Sequence, residues 1–230
     1  DCCYEDVDLH VLGYGIDASD VRYAQLEEDL AGQERATSAP RIRMMRERGL
    51  VIDEEKAYAL AHYGYVTGEV IAEVALADPG NDGHPMLKEY RPGQSRSDNP
   101  YVNFYWDWCA KGKETYIPIH FISLQEAIRL IRSSGGIPVL AHPGNNVKEK
   151  DDLLDAVLRC GIQGIEVYSS YHNPAQTGYY RRKAEEYGLA VTCGSDYHGK
   201  TKPSIRLGVM DCAGEEEMIV EGLRELGILL

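Results

Sequence analysis

The fold class of this chain of 230 residues is decided at residues 135–144, which read GGIPVLAHPG. The apolar run 137–141 lies between a glycine pair and a His-Pro-Gly turn. A run this short is typical of a buried β-strand rather than a helix. Because His142 follows directly, the sequence predicts a strand with a histidine at its carboxyl end.

Helices and strands alternate on both sides of this segment. Before it, Ser123 and Glu126 have the spacing of a capping box, in which each residue satisfies the other at the start of a helix. The predicted elements that follow are a helix over 151–160, strand 164–168, helix 177–187, strand 189–193, a short strand 207–210 and a helix over 215–226. Such alternation predicts parallel strands joined by helical crossovers, and therefore an α/β sheet or barrel.

The amino-terminal half of the sequence has a different pattern. Residues 7–13, VDLHVLG, predict a strand that carries His10 and is stopped by glycines. Between 19 and 112 the pattern is charged and helical, with predicted breaks at Pro40, Gly64, 78–85 and 91–94. We therefore expect residues 1–17 and 113–230 to form the α/β portion, with 18–112 as a mainly helical insertion.

The composition limits the function classes. A formal net charge of −13 argues against an extended nucleic-acid surface, although it permits a small phosphorylated substrate in a local pocket. No apolar run approaches the ~18 residues of a membrane span, so no membrane association is expected. The six cysteines are scattered, which favours free thiols and a cytoplasmic location.

Four side chains near predicted strand ends are candidate metal ligands: His10, His142, Asp196 and His198. In a strand, Asp196 and His198 would project to the same side because they are two residues apart. Imidazole and carboxylate groups together suit Zn, Mn or Fe. A lone histidine is more often a hydrogen-bonded core residue, and an aspartate in a turn often binds backbone amides. Both interpretations stay open for each residue alone, but the combination favours a metal site.

Four segments carry a family resemblance: LHVLGYGID at 9–17, GGIPVLAHP at 135–143, GIEVY at 164–168 and GSDYHG at 194–199. In this order they resemble the successive signatures of the PHP (polymerase and histidinol phosphatase) family. The similar members are phosphoesterases that dephosphorylate nucleotides and trim short RNA. The resemblance implies an α/β fold, namely an incomplete distorted (β/α)7-type PHP barrel with a mainly helical insertion.

The resemblance also implies cofactors and roles. Up to three divalent metals (Mn, Zn or Fe) would lie at the strand ends, with His10 and His142 sharing one, Asp196 binding a second and His198 a third. Asp196 and His198 would belong to the catalytic centre, where the metals would activate a water for in-line attack on phosphate. The implied activity is hydrolysis of a small phosphorylated metabolite, nucleotide or short oligonucleotide.

The sequence departs from the family before residue 9. The family's His-x-His, Asp-Gly, Thr-Asp-His and Gly-x-Glu motifs do not occur there. We therefore expect an N-terminally truncated domain that binds metal weakly, because a zinc site generally needs three or four protein ligands. Unpaired strand edges would favour a homodimer. Amide hydrolysis, and a noncatalytic PHP-fold fragment or interaction scaffold, stay open as alternatives.

Three further side chains are weaker candidates for contacting substrate: His172, Lys200 and Arg206. His172 follows a predicted strand end, and the two basic residues follow the Asp-x-His turn. A cationic side chain can clamp a phosphate, and arginine can do so with two parallel hydrogen bonds. Such charges more often belong to a solvated surface, so the interpretation depends on where the fold places them.

Overall fold

The computed structural model describes residues 1–228, which divide into two compact units. The first unit comprises Asp1–Ala24, Phe121–Asp196 and the residues from Leu207 onward. The second comprises Gln25–His120 and Tyr197–Arg206. Among the described residues, no helix is both long and apolar enough to cross a membrane.

The regular structure of the described chain consists of short strands and of helices of varied length. The strands are β1 (Cys2–Tyr4), β2 (Val7–Leu9), β3 (Val11–Tyr14), β4 (Ile137–Leu140), β5 (Gly164–Ser169) and β6 (Ala190–Gly194). The α-helices are α1 (Val21–Glu47), α2 (Glu54–Leu60), α3 (Gly68–Ala77), α4 (Pro100–Phe104), α5 (Leu124–Ser133), α6 (Pro143–Asn146), α7 (Asp151–Arg159), α8 (Pro174–Tyr187) and α9 (Glu216–Glu225).

The first unit is built on a four-stranded sheet in the order β3-β4-β5-β6. β4, β5 and β6 are parallel and are joined through α7 and α8, as the alternating pattern predicts. β3 runs antiparallel to β4, and β1 pairs with β2 in a separate two-stranded sheet. The predicted α/β class is confirmed. Within residues 1–228 the sheet is open, and its strands do not close into a barrel.

The core of the first unit forms around β5, whose six residues are all buried. Ile165 and Val167 are fully enclosed, as expected for a parallel strand that is covered on both faces. The apolar side of α5 contributes Leu124 and Ile128, and α7 contributes Leu154 to the same cluster. Burial of these side chains stabilises the alignment of the parallel strands, and that alignment sets where their carboxyl ends lie.

The second unit is mainly helical. Within residues 25–120 the regular structure is α-helix, 3-10 helix and one π-helical turn. Its own core includes Ile42, Met45, Ile71 and Phe104, all nearly or fully enclosed. Because this cluster is distinct from the one around β5, each unit has a separate hydrophobic core.

The predicted helix break at Pro40 is wrong. Helix α1 continues through this proline to Glu47. A proline inside a helix removes one backbone hydrogen bond and costs about 3 kcal/mol. Here Ile42 and Met45, one turn beyond, are buried in the core of the second unit, and their packing offsets that cost.

Two strand predictions need correction. Residues 207–210 form no strand, and the Leu207 and Val209 side chains are 75% and 65% exposed, so the apolar residues there lack a neighbouring strand to pack against. The predicted strand 7–13 is divided at His10 into β2 and β3, which belong to different sheets. Gly13 does not end its strand, because β3 extends to Tyr14 and pairs Gly13 with Pro138.

The capping box of α5 yields a stability prediction. The Ser123 hydroxyl accepts the Glu126 N–H, and the Glu126 carboxylate accepts the Ser123 N–H at 2.9 Å. Ser123→Ala should lower the free energy of unfolding by about 1 kcal/mol, measured by urea denaturation. Ser123→Thr, which keeps the hydroxyl, is the control and should lose less. Equal losses in both variants would contradict a capping role.

Candidate metal site

His142 lies at the carboxyl end of β4, where the sequence predicts a functional residue. Its backbone turns sharply, with φ of 25°, a value that few residues other than glycine adopt. The backbone N–H of His142 donates to Glu166 Oε2 at 2.8 Å. Because this carboxylate belongs to the neighbouring strand β5, it holds the turn that carries the His142 side chain in place.

His10 lies between β2 and β3 and meets His142 across the end of the sheet. Nδ1 of His10 is 3.1 Å from Nε2 of His142, and the two rings are nearly perpendicular with centroids 4.8 Å apart. On its other side, His10 Nε2 is 3.2 Å from Asp1 Oδ1. The structure therefore brings together two histidines that are 132 residues apart in sequence.

Asp196 follows β6 and completes a group of three converging side chains. Its Oδ1 lies 4.0 Å from His142 Nε2, while its Oδ2 accepts a hydrogen bond of 2.5 Å from the Tyr171 hydroxyl. The expectation that Asp196 and His198 share one side of a strand is wrong, because β6 ends at Gly194 and Asp196 has φ of 52°. Asp196 thus reaches the histidines from a turn.

Glu166 is a site residue that the sequence interpretation did not select. It is 4% exposed, and this burial is the main cause that raises its carboxyl pKa to about 7, with Asp196 adding to the rise. Gly194 on β6 leaves room for it, since a Cβ there would lie 2.1 Å from Glu166 Oε1. An acid between apolar residues in the predicted strand GIEVY is the signal that could have identified it.

The environment keeps His142 neutral. Burial, and then the neighbouring His10, lower its pKa to about 4. A neutral imidazole is the form that binds metals. Its buried Nδ1 has no hydrogen-bond partner of normal geometry among the described residues, and neither does Oδ1 of Asn146. The Asp196 carboxylate opposes the lowering of the His142 pKa, and the Asn146 side chain does so to a smaller extent.

These three side chains fit part of a metal site. Ligand atoms around a tetrahedral zinc lie about 3.3 Å apart when the bonds are about 2.0 Å, and the separations of 3.1 Å and 4.0 Å at His142 Nε2 bracket that distance. Two imidazole nitrogens and one carboxylate oxygen also suit Mn, Zn or Fe. Across residues 1–228, however, no group of three or more His, Cys, Asp or Glu side chains is placed so that it could hold one metal ion.

The remaining predicted site residues are His172 in the first unit and His198, Lys200 and Arg206 in the second. His172 is built into the first unit: its Nδ1–H donates to the Val167 carbonyl at 2.8 Å, and its Nε2 accepts the Gly144 N–H at 3.0 Å. Both ring nitrogens are therefore engaged with the backbone, which indicates a structural role. His198, Lys200 and Arg206 lie in the second unit, where all three are exposed and Lys200 forms an ion pair of 2.7 Å with Glu73.

No family model matches the chain. Curated relatives include a phosphoribosyl 1,2-cyclic phosphate 1,2-diphosphodiesterase of Eggerthella lenta, which is 27% identical over 84% of this chain and 67% of that protein. A 3',5'-nucleoside bisphosphate phosphatase of Chromobacterium violaceum is 33% identical over 40% of this chain and 33% of that protein. The 5'-3' exoribonuclease Rnm of Salmonella typhimurium is 27% identical over 89% of this chain and 65% of its own length. The chain thus spans about two thirds or less of each of these relatives.

Two solved structures share the fold. A protein of Bifidobacterium adolescentis proposed to be a metal-dependent phosphoesterase has a TM-score of 0.69 at 24% identity, covering 97% of this chain and 73% of that one. An amidohydrolase of Chromobacterium violaceum, with bound sulfate and no metal, has a TM-score of 0.65 at 20% identity, covering 89% of this chain and 68% of that one. These likenesses support the α/β fold described above.

The close approach of Gly194 to Glu166 leads to a prediction. Gly194→Ala should displace the Glu166 carboxylate and lower the free energy of unfolding by roughly 1–3 kcal/mol, the usual cost of overpacking a core. Gly222→Ala is the matched control, because Gly222 lies in α9 with no atom near its missing Cβ. That control should gain about 0.5–1 kcal/mol. Urea denaturation measures both, and an unchanged Gly194→Ala midpoint would contradict the crowding.

The pKa of Glu166 predicts how stability depends on pH in chelator-treated protein. Between its ordinary 4.5 and about 7, folded Glu166 binds more protons than unfolded Glu166, so its contribution to stability falls as pH rises. His142, with its pKa lowered from 6.5 to about 4, contributes the opposite slope. Glu166→Gln removes the contribution to stability that falls with pH and leaves the rising contribution of His142. Relative to wild type, the variant should therefore gain roughly 2–3 kcal/mol in unfolding free energy from pH 4.5 to pH 7.

Urea denaturation at several pH values between these limits measures the difference. Glu225→Gln, at an exposed position near the end of α9, controls for the loss of one carboxylate. If the stability difference between Glu166→Gln and wild type does not change with pH, the buried carboxyl does not titrate as described.

Proposed function

We propose, on the premise that this chain is a homologue of the PHP-type metal-dependent phosphoesterases, that it contributes divalent-metal ligands to the hydrolysis of phosphate esters. The observation that carries the proposal is that His10 Nδ1 and Asp196 Oδ1 both lie near His142 Nε2, at the edge of the sheet where β4 and β6 end and the antiparallel β3 begins. In parallel α/β sheets this edge is where catalytic groups collect.

In this proposal His10, His142 and Asp196 hold the metal, and His198 stays a predicted further ligand. A divalent cation bound there would supply a Lewis acid that polarises the phosphate and acidifies a water. His142 is prepared for this role because its lowered pKa keeps the imidazole uncharged at neutral pH, the form that binds metals. Glu166 fixes the His142 backbone, so the imidazole is oriented before any metal arrives.

The substrate class is proposed from the chemistry that the relatives' names share. A phosphoribosyl cyclic phosphate, a nucleoside bisphosphate and an RNA strand all carry phosphate on ribose oxygens. We infer that a small ribose phosphate ester is the substrate, either a nucleotide or a short oligonucleotide. The net charge of −13 supports a small substrate over an extended nucleic acid, which would need a broad basic surface.

A noncatalytic role is the second candidate, and one observation favours it. The two histidines lie within hydrogen-bonding distance of each other, and Asp196 accepts a hydrogen bond from Tyr171. Polar groups that satisfy one another can stabilise a fold without a metal. In that case the same residues would support a binding scaffold, and metal affinity separates the two candidates.

The first test is metal binding by the wild-type chain, by His142→Ala and by Asp196→Asn. We expect Mn²⁺ to bind the wild type, and each variant to bind it more than about tenfold more weakly, because losing even an outer partner of a ligand typically costs about 10- to 100-fold. Competition with a fluorescent chelator measures affinity. Phosphate release from adenosine 3',5'-bisphosphate and mononucleotide release from a short oligoribonucleotide measure turnover.

His62→Ala is the matched control, since His62 is exposed in the second unit and should not alter Mn²⁺ affinity. Equal Mn²⁺ affinity in the wild type and both site variants would exclude the proposed ligands. Absence of Mn²⁺ binding by a folded wild-type chain would instead support the scaffold role.

A further inference from the structure

We propose that Tyr171 is a positioning residue that selects which oxygen of Asp196 faces the two histidines; this rests on the metal-dependent function proposed above. The Tyr171 hydroxyl donates to Oδ2 of Asp196 at 2.5 Å. With Oδ2 engaged, the other oxygen, Oδ1, is the one directed towards His142 Nε2, 4.0 Å away. A carboxylate held in this way is prepared to bind a metal through a single oxygen.

Asp196 needs such support because its own backbone provides little. It follows the end of β6 and adopts φ of 52°, a left-handed conformation that costs a residue with a side chain about 1 kcal/mol or more. The carboxylate therefore lies on a turn rather than on a strand. A short hydrogen bond from a fixed donor compensates for that lack of regular structure.

Tyr171 is itself fixed by its surroundings. Its ring packs edge-on against His142 with centroids 5.5 Å apart. The next residue, His172, is hydrogen-bonded to the Val167 carbonyl on one side and to the Gly144 N–H on the other. Gly144 closely follows His142 in the chain, so His172 ties the Tyr171 loop to the turn that carries the histidine ligand.

The start of α8 fixes the loop from its other end. Asn173 caps this helix by accepting the N–H groups of Ala175 and Gln176, and the Gln176 side chain accepts the Asn173 N–H. Residues 169–173 are thus anchored to β5, to the His142 turn and to α8. The phenol also stays a donor, because burial and the Asp196 carboxylate both raise its pKa well above the ordinary value.

Tyr171→Phe tests the proposal, because it removes the hydroxyl and keeps the ring. We expect the dissociation constant for Mn²⁺ alone, measured by chelator competition, to rise about 10- to 100-fold, as when an outer hydrogen bond to a metal ligand is lost. Tyr179→Phe is the matched control: Tyr179 donates to Asp151 at 2.6 Å, a similar bond on the helices α7 and α8. Its Mn²⁺ affinity should stay within about twofold of wild type.

A double-mutant cycle separates positioning from general damage. If Tyr171 acts through Asp196, then Tyr171→Phe should cause little further loss of Mn²⁺ affinity in an Asp196→Asn background. A merely structural role would lower the urea midpoint and would weaken Mn²⁺ binding equally in both backgrounds.

The outcomes distinguish this inference from the function on which it rests. Mn²⁺ bound equally tightly by wild type and Tyr171→Phe, or an additive loss in the double mutant, would overturn the positioning role alone. Failure of a folded wild-type chain to bind Mn²⁺ at millimolar concentration would overturn the proposed function and the positioning role with it. If Tyr171→Phe instead lowers Mn²⁺ affinity in the wild-type background and not in the Asp196→Asn background, that result supports both the positioning role and the proposed function.

Discussion

The hydrogen bond from the His142 backbone to the buried Glu166 carboxylate is the interaction on which the site depends. Glu166 lies on β5, the central parallel strand, and contacts the exits of both neighbours: the His142 turn after β4 and Gly194 on β6. Burying a carboxyl group is costly, and its raised pKa reflects that cost. One side chain on β5 thus lies against the ends of β4 and β6, which lead into the proposed ligands His142 and Asp196.

The parts of the fold that follow from local signals could be predicted from the sequence. The capping box at Ser123 and the apolar run of β4 both form where their patterns indicate, because each pattern is contained in a few consecutive residues. Pro40 could not be judged in the same way. Whether a proline ends a helix depends on how firmly the next turn is packed, and the packing of Ile42 and Met45 is a tertiary property.

The candidate site shows the same division between local and tertiary signals. His10, His142 and Asp196 could be selected because each stands next to a predicted strand, where polar groups in α/β folds usually act. Tyr171 carries no such signal, since a tyrosine in a loop is common and its contact with Asp196 spans 25 residues of sequence. The strand-based geometry assumed for Asp196 and His198 fails because the strand ends two residues before Asp196, a boundary that alternation alone does not determine.

The left-handed backbone at His142 and Asp196 lowers the stability of the fold at two residues of the candidate site. Glycine would adopt φ values of 25° and 52° with less strain than either residue, so the chain tolerates an unfavourable conformation at both positions. Selection for thermodynamic stability alone would tend to replace both proposed ligands with glycine. A lineage that no longer used the site would therefore be expected to lose these two side chains early, while keeping β4, β5 and β6 intact.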